Sequence, residues 1–294
     1  MLTVSIQPMS EKNPSSPYRI LIGVLWGLLS SCQPNELSVQ IHSPLSAGES
    51  DAKILFLAGT DSHWPGSHEH RAGSELLSAA LRLRQPGFET VNVYGGWPED
   101  ESLFEDVDAI VLYCDGGESH LINGHLRKFE DLVQRGVGVV ALHYCVEVPK
   151  DSPAAAAMLS AIGGYFETWW SVNPHWLAHY TNLPDHPIAR GVEPFSLEDE
   201  WYFNMRFIDK GVAPILSAKA PLATMDRGNG PHSGNDSVRQ LVEEGVPQTT
   251  AWAYERPSGG RGFGYTGGHY HANWNNSAAR ELVLNAIEWV AITP

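Results

Sequence analysis

The chain has 294 residues, of which 43% are hydrophobic and 18% charged, a composition of globular proteins rather than disordered or fibrous ones. Its net charge of −15 excludes a basic stripe able to neutralise phosphates, so a nucleic-acid partner is not expected. Three cysteines are too few for a disulfide framework, whereas 13 His and 10 Trp supply imidazoles for metals and protons and flat apolar faces for ligands.

The N-terminus carries an address. Arg19 precedes the apolar run Ile20–Leu29, which ends in Leu29-Ser30-Ser31-Cys32. A positive region, about ten apolar residues and small residues before the cut describe a secretory signal, too short for a membrane span. Small residues closing on a cysteine resemble a bacterial lipobox, in which Cys32 becomes the acylated first residue of a periplasmic, membrane-anchored protein. Residues 1–32 are then signal, 33–50 a polar tether, and 51–294 one α/β domain.

Within that domain, Lys53–Leu57 is a continuous apolar run, a buried strand closed by Ala58-Gly59-Thr60. Ala72–Leu83 has helical spacing at Leu76, Leu77, Ala80 and Leu83. Strands follow at Thr90–Tyr94, Asp108–Tyr113 and Gly138–His143, with a helix near His120–Arg135 between the last two. Strands alternating with helices predict a doubly wound parallel sheet, with its ligand site at the carboxyl ends of the strands. Pro149–Asp209 is irregular and aromatic-rich, an expected insertion at the rim. Asp226–Asp236 is a polar Gly/Asn loop, and Thr250–Glu255 with Gly262–Thr266 flank Pro257–Gly260 as a hairpin. Ser277–Ala291 closes the domain as an amphipathic helix.

Four segments deliver His or carboxylate to one sheet edge: Asp61–His70, Asp115–Glu118, His143–Glu147 and Gly267–His271. That convergence predicts a functional site. Imidazole with carboxylate suits a divalent metal such as zinc with an open position. A metal-free site with His143 as base is the alternative. Asp115, Glu147 and Glu200 are the candidate proton-moving carboxylates. Trp64, Trp170, His175, Trp201, His271 and Trp274 are the candidate substrate-binding side chains, because aromatic plates beside hydrogen-bonding groups match a sugar's apolar faces and hydroxyls. Trp170, His175, Glu200 and Trp201 are expected to form a cleft wall opposite His143.

These segments resemble the trehalose-utilisation (ThuA-like) family, within the class I glutamine amidotransferase-like superfamily, and its secreted planctomycete-type members in particular. The resemblance spans roughly Lys53–Ala291. It rests on His68-Glu69-His70, Val140–His143, Pro184-Asp185-His186-Pro187-Ile188-Ala189-Arg190-Gly191, Glu200-Trp201-Tyr202 and Gly260–His269. It implies a flavodoxin-like fold and a role in sugar metabolism with links to 3-keto-glycosides. It also implies a metal held by strand-end histidines, which here are His70, His143 and His269. One departure is that this chain has Asp115-Gly116-Gly117 where the family prototype has a Gly-His pair. The functional expectation is a carbohydrate-active protein, possibly metal-assisted, acting on a sugar or keto-sugar glycoside as a lyase, hydrolase or isomerase. A non-catalytic sugar-binding lipoprotein is the second reading. A Cys145-dependent amidase or hydrolase is the third, since a cysteine nucleophile follows a strand in that superfamily, although the flanks here are bulky.

Overall fold

The computed structural model describes residues 52–292; the signal, the tether and Cys32 lie outside them. Its elements, in chain order, are β1 Lys53–Ala58, α1 His70–Arg84, β2 Glu89–Tyr94, β3 Ala109–Tyr113, α2 Leu126–Gln134, β4 Gly138–Leu142, α3 Pro153–Ile162, β5 Gly164–Tyr165, β6 His175–Tyr180, β7 Phe195–Glu200, β8 Arg206–Phe207, β9 Val212–Ala218, α4 Asp236–Glu243, β10 Gln248–Glu255, β11 Arg261–Tyr265 and α5 Ser277–Ala291.

Seven strands form one sheet in the order β2-β1-β3-β4-β11-β10-β9. The first five are mutually parallel, as the apolar runs predict. The expected hairpin is the antiparallel β10–β11 pair, and β9 adds a further antiparallel edge. β1, β3 and β4 are buried along almost their whole length, because both faces are covered. On one face Phe56, Val111 and Val140 pack with Leu77, Leu81, Leu282 and Ile287 of α1 and α5. On the other Leu55, Leu112 and Val139 pack with Phe129, Leu132 and Met158 of α2 and α3.

Three sequence expectations are refined. The helix expected near His120–Arg135 begins only at Leu126, after two short 3-10 turns. His120 Nδ1 accepts from Ile122 N at 3.1 Å, and that local bond favours a turn over helix continuation. The insertion is not irregular throughout. It opens with α3, whose alanine run lacks an amphipathic period; Ser152 caps its start, with Pro153 in the first turn, and Gly163 ends it at φ 75°. It continues into the antiparallel pair β6–β7, whose register sets His175 opposite Glu200. α4 lies at the end of the polar loop; Asn235 caps it through a bond from Val238 N at 3.0 Å.

Candidate functional site

The first strand order reversal falls between β1 and β3, and the loops after β1, β3, β4 and β11 gather there. The chain after β4 turns sharply at His143, which has φ 55°, a left-handed conformation a non-glycine residue holds only when its surroundings dictate it. His68, in the loop before α1, has φ 47°. The loops after β3 and β4 pack so closely that a Cβ on Gly116 would stand 2.3 Å from the Tyr144 carbonyl oxygen.

Four side chains from four segments meet at one point: His68, His143, Glu200 and His269. His68 Nε2 lies 3.1 Å from His143 Nε2 and 3.0 Å from His269 Nδ1. His269 Nδ1 lies 3.3 Å from His143 Nε2 and 3.1 Å from Glu200 Oε2. The separation from His143 Nε2 to Glu200 Oε2 is 3.6 Å. The three histidines are buried, and Glu200 is 12% exposed. Tyr202 OH stands 3.4 Å from both His143 Nε2 and Glu200 Oε2.

The outer hydrogen bonds fix the tautomers of two rings. His143 Nδ1 faces the Thr266 carbonyl at 2.9 Å, and a carbonyl only accepts, so Nδ1 carries the proton. His68 Nδ1 donates in the same way to Asp115 Oδ1 at 2.9 Å, and Ser62 Oγ donates to the same oxygen at 2.8 Å. Burial works against the Asp115 charge, but the bonds from His68 and Ser62 outweigh it and hold the carboxyl below its ordinary range. Both Nε2 atoms are therefore bare lone pairs facing each other across 3.1 Å. Burial first, and the neighbouring His68 second, push His143 well below the usual imidazole range, so a shared proton is a poor occupant. A divalent cation suits this donor set. Neighbouring ligand atoms of a tetrahedral zinc stand about 3.3–3.4 Å apart for metal–ligand bonds of about 2.0–2.1 Å, and the nitrogens here already stand at 3.0–3.3 Å.

His269 is placed through its backbone. Asp199, fully buried, accepts from Gly268 N at 2.7 Å, His269 N at 3.1 Å and Asn273 Nδ2 at 2.9 Å. Burial raises its pKa, and the bonds from Gly268 N, Asn273 and Glu200 N oppose the rise.

Of the sequence candidates, His143, His269 and Glu200 converge, and Asp115 stands behind His68. His70 does not join them. It opens α1, its Nδ1 donates to the Thr60 carbonyl at 3.0 Å, and its Nε2 lies 3.8 Å from Asp115. His68 takes the place expected for His70, because the helix starts between the two and turns their rings apart. Glu147 is buried and meets His232 rather than the cluster.

The expected aromatic wall is corrected in two places. Trp201 is fully buried; its ring packs edge-on against Tyr180 and Tyr265, and its indole donates to the Leu197 carbonyl at 3.0 Å. Trp274 is 1% exposed and packs against Tyr113 and Tyr265. Neither can stack on a sugar. Trp170 is half-buried beneath the Arg206 guanidinium, 4.1 Å from its ring centre. His271 faces Glu69 at 3.8 Å on the rim. Two candidates do border the cluster. Trp64 is 59% exposed with its ring 6.0 Å from that of His269, and His175 stands 3.8 Å from Glu200.

Sequence reasoning did not single out His63, whose ring lies 3.7 Å from that of His68. It also assigned no role to Asp199, Tyr202 and Asn173, although they lie in the aromatic-rich segments it marked as rim, nor to Arg227 and His232 in the polar loop. Cys145 is fully buried, and burial pushes its thiol up. Its neighbour His120 uses one nitrogen on Ile122 N and the other on the Cys145 carbonyl. An attacking thiolate needs accessible, electropositive surroundings, which this position lacks.

The profile of the ThuA family, described as trehalose utilisation, matches residues 53–290. Among solved structures, the chain is similar to a ThuA-like protein from Bacteroides uniformis, with TM-score 0.55 and 17% identity over 85% of this chain and 95% of that one. It is likewise similar to a ThuA-like protein from Parabacteroides merdae, with TM-score 0.52 and 18% identity over 82% of this chain and 90% of that one. At such identity the likeness concerns the fold. No curated protein matches the sequence.

Proposed function

This chain belongs to the ThuA, or trehalose-utilisation, family, and on that footing we propose that it binds and transforms a sugar or keto-sugar glycoside with the help of a divalent metal held by His68, His143, His269 and Glu200. The observation that carries the reading is the convergence of three imidazole nitrogens and a carboxylate oxygen, with outer hydrogen bonds on His143 and His68 that leave the lone pairs of those two rings facing inward. When bound, a metal such as zinc supplies Lewis acidity, polarising a carbonyl or hydroxyl oxygen. The chain's own groups do the rest. Asp115 and the Thr266 carbonyl orient two of the rings, as outer hydrogen-bond partners of metal-binding histidines do. Tyr202 OH and the exposed His175 offer hydrogen bonds beside Glu200. Trp64 offers an apolar face at the mouth.

The alternative, a non-catalytic binder, shares Trp64 but has no use for buried imidazoles with fixed tautomers. Zinc-loaded protein is expected to convert a 3-keto-disaccharide and to leave the parent disaccharide unchanged, as followed by NMR. Trp64→Ala is expected to weaken sugar binding in calorimetry by about 1–2 kcal/mol, the scale of one ring face at about 25 cal/mol per Å², with metal content unchanged. Sugar binding without conversion, in fully loaded protein, favours the binder.

The address belongs to the same proposal and rests on the lipobox ending at Cys32. Cys32→Ser is expected to move the protein from the membrane pellet to the soluble fraction and to abolish fatty-acid labelling. A wild-type protein that is already soluble contradicts it.

A further inference from the structure

The polar loop at residues 226–236 brings against Glu147 and Asn173, beside the cluster, two side chains that no sequence signal marks. His232 Nε2 lies 2.9 and 3.1 Å from the two oxygens of Glu147. Glu147, 3% exposed, follows the His143 turn at the carboxyl end of β4. A carboxylate accepts, so Nε2 carries the proton and Nδ1 is left as a free base. Nδ1 has no hydrogen-bond partner among the described residues, and the His232 side chain is 37% exposed. Its ring stacks on Phe166, with centres 5.3 Å apart.

The loop is tied to the cluster by Asn173. The His232 carbonyl accepts from Asn173 N at 3.1 Å and from Arg227 Nη2 at 2.8 Å. The Asn173 side chain then accepts from Arg227 Nη2 at 3.0 Å and donates to Glu200 Oε1 at 2.9 Å. One asparagine thus links the His232 backbone to a proposed metal ligand. Arg227 Nε is buried with no partner among the described residues.

We propose that His232 is the proton-transfer residue of this site, and that Glu147 is its positioning residue and not itself a proton donor. The inference rests on the carbohydrate reading above and deepens it. Neutral His232 takes a proton onto Nδ1 from a substrate hydroxyl or from a carbon beside a carbonyl, and the electron pair of the broken O–H or C–H bond stays on the substrate. The imidazolium so formed pairs with the Glu147 carboxylate. The electron pair left on the substrate forms a C=C bond from the C–H, or a C=O bond from the O–H, as the substrate's C–O bond breaks with its electrons on the leaving oxygen, and Nδ1, whose proton exchanges with solvent, protonates that oxygen. A fixed carboxylate behind an imidazole with one free nitrogen is the arrangement general acid–base catalysis needs.

The groups facing His232 are Glu147, Glu200 and Arg227. The Glu147 bond raises its pKa, burial opposes this, Glu200 raises it further and Arg227 lowers it; the net direction is upward. A base must be neutral to act, so turnover rises with pH through the His232 titration, above the ordinary histidine value. Removing the Glu147 charge moves that limb to lower pH.

The test uses the full zinc-loaded chain and 3-keto-trehalose as probe, following disappearance of the keto-disaccharide and deuterium uptake from D2O. His232→Gln is expected to lower kcat by about 10²–10⁴-fold with KM, zinc content and melting temperature unchanged. Glu147→Gln is expected to shift the acid limb of the kcat profile downward. Imidazole ¹⁵N NMR is expected to place the His232 proton on Nε2 in neutral wild type and to show its titration falling in Glu147→Gln. A His232→Gln variant within threefold of wild type overturns the proposal, as does a neutral tautomer with the proton on Nδ1. A wild type inert toward the probe sinks the carbohydrate reading alone. The NMR arm still decides the dyad, and a His232 titration unmoved by Glu147→Gln then overturns it.

Discussion

Trp201→Ala is expected to destabilise the domain by about 3–5 kcal/mol, the cost of truncating a large buried aromatic side chain. Trp201 is fully buried between Tyr180 and Tyr265, its indole bonds the Leu197 carbonyl, and its own carbonyl accepts from Trp176 Nε1 at 3.1 Å. Gly267 is shaped to it: a Cβ there would lie 2.5 Å from the Trp201 ring. The cavity left by alanine therefore sits under the segment that carries His269. In a domain of this size each kcal/mol moves the melting temperature by roughly 2–4 °C, so a drop of about 6–20 °C is expected in calorimetry. Sugar affinity, measured well below that transition, should change less than in Trp64→Ala. A melting temperature within about 2 °C of wild type together with a large loss of sugar affinity would mean that the ring lines the cleft after all.

His68→Ala is expected to abolish metal binding at the proposed centre, and His70→Ala to leave it intact. His68 Nε2 is 3.0–3.1 Å from the facing nitrogens of His269 and His143, whereas His70 spends Nδ1 on Thr60. Asp115→Asn falls between them. It keeps an oxygen for the His68 N–H but loses the charge that strengthens the bond, and such outer changes lower metal affinity by about 10–100-fold. Elemental analysis of folded protein, checked by circular dichroism, measures all three. The order is diagnostic: loss of metal from His70→Ala with retention in His68→Ala would restore the ligand set that family resemblance alone suggested.

The same pair of histidines marks the limit of what the sequence reveals. Apolar runs such as Lys53–Leu57 and Gly138–His143, alternating with helical spacing, suffice to place a parallel sheet, because both faces of such strands must be apolar to be buried. The sheet edge that gathers His143, His269 and Asp115 follows from that order, since side chains just past parallel strands share one edge. Which of His68 and His70 turns inward does not follow. It depends on where α1 begins, and on a left-handed residue at position 68 that long-range bonds hold in place.

The aromatic residues divide in the same way. Composition shows that Trp and His are abundant, but Trp64 and Trp201 carry no local mark separating a cleft wall from a core. Trp201 is in the core because Gly267, Tyr180 and Tyr265, all distant in sequence, leave a space of its shape. His232 and Arg227 lie in a loop without hydrophobic period, and only its folding back toward Glu147 and Asn173 brings them to the site. Local patterning records which side chains avoid water. It does not record which distant polar groups will meet, because that depends on loop paths set by tertiary contacts.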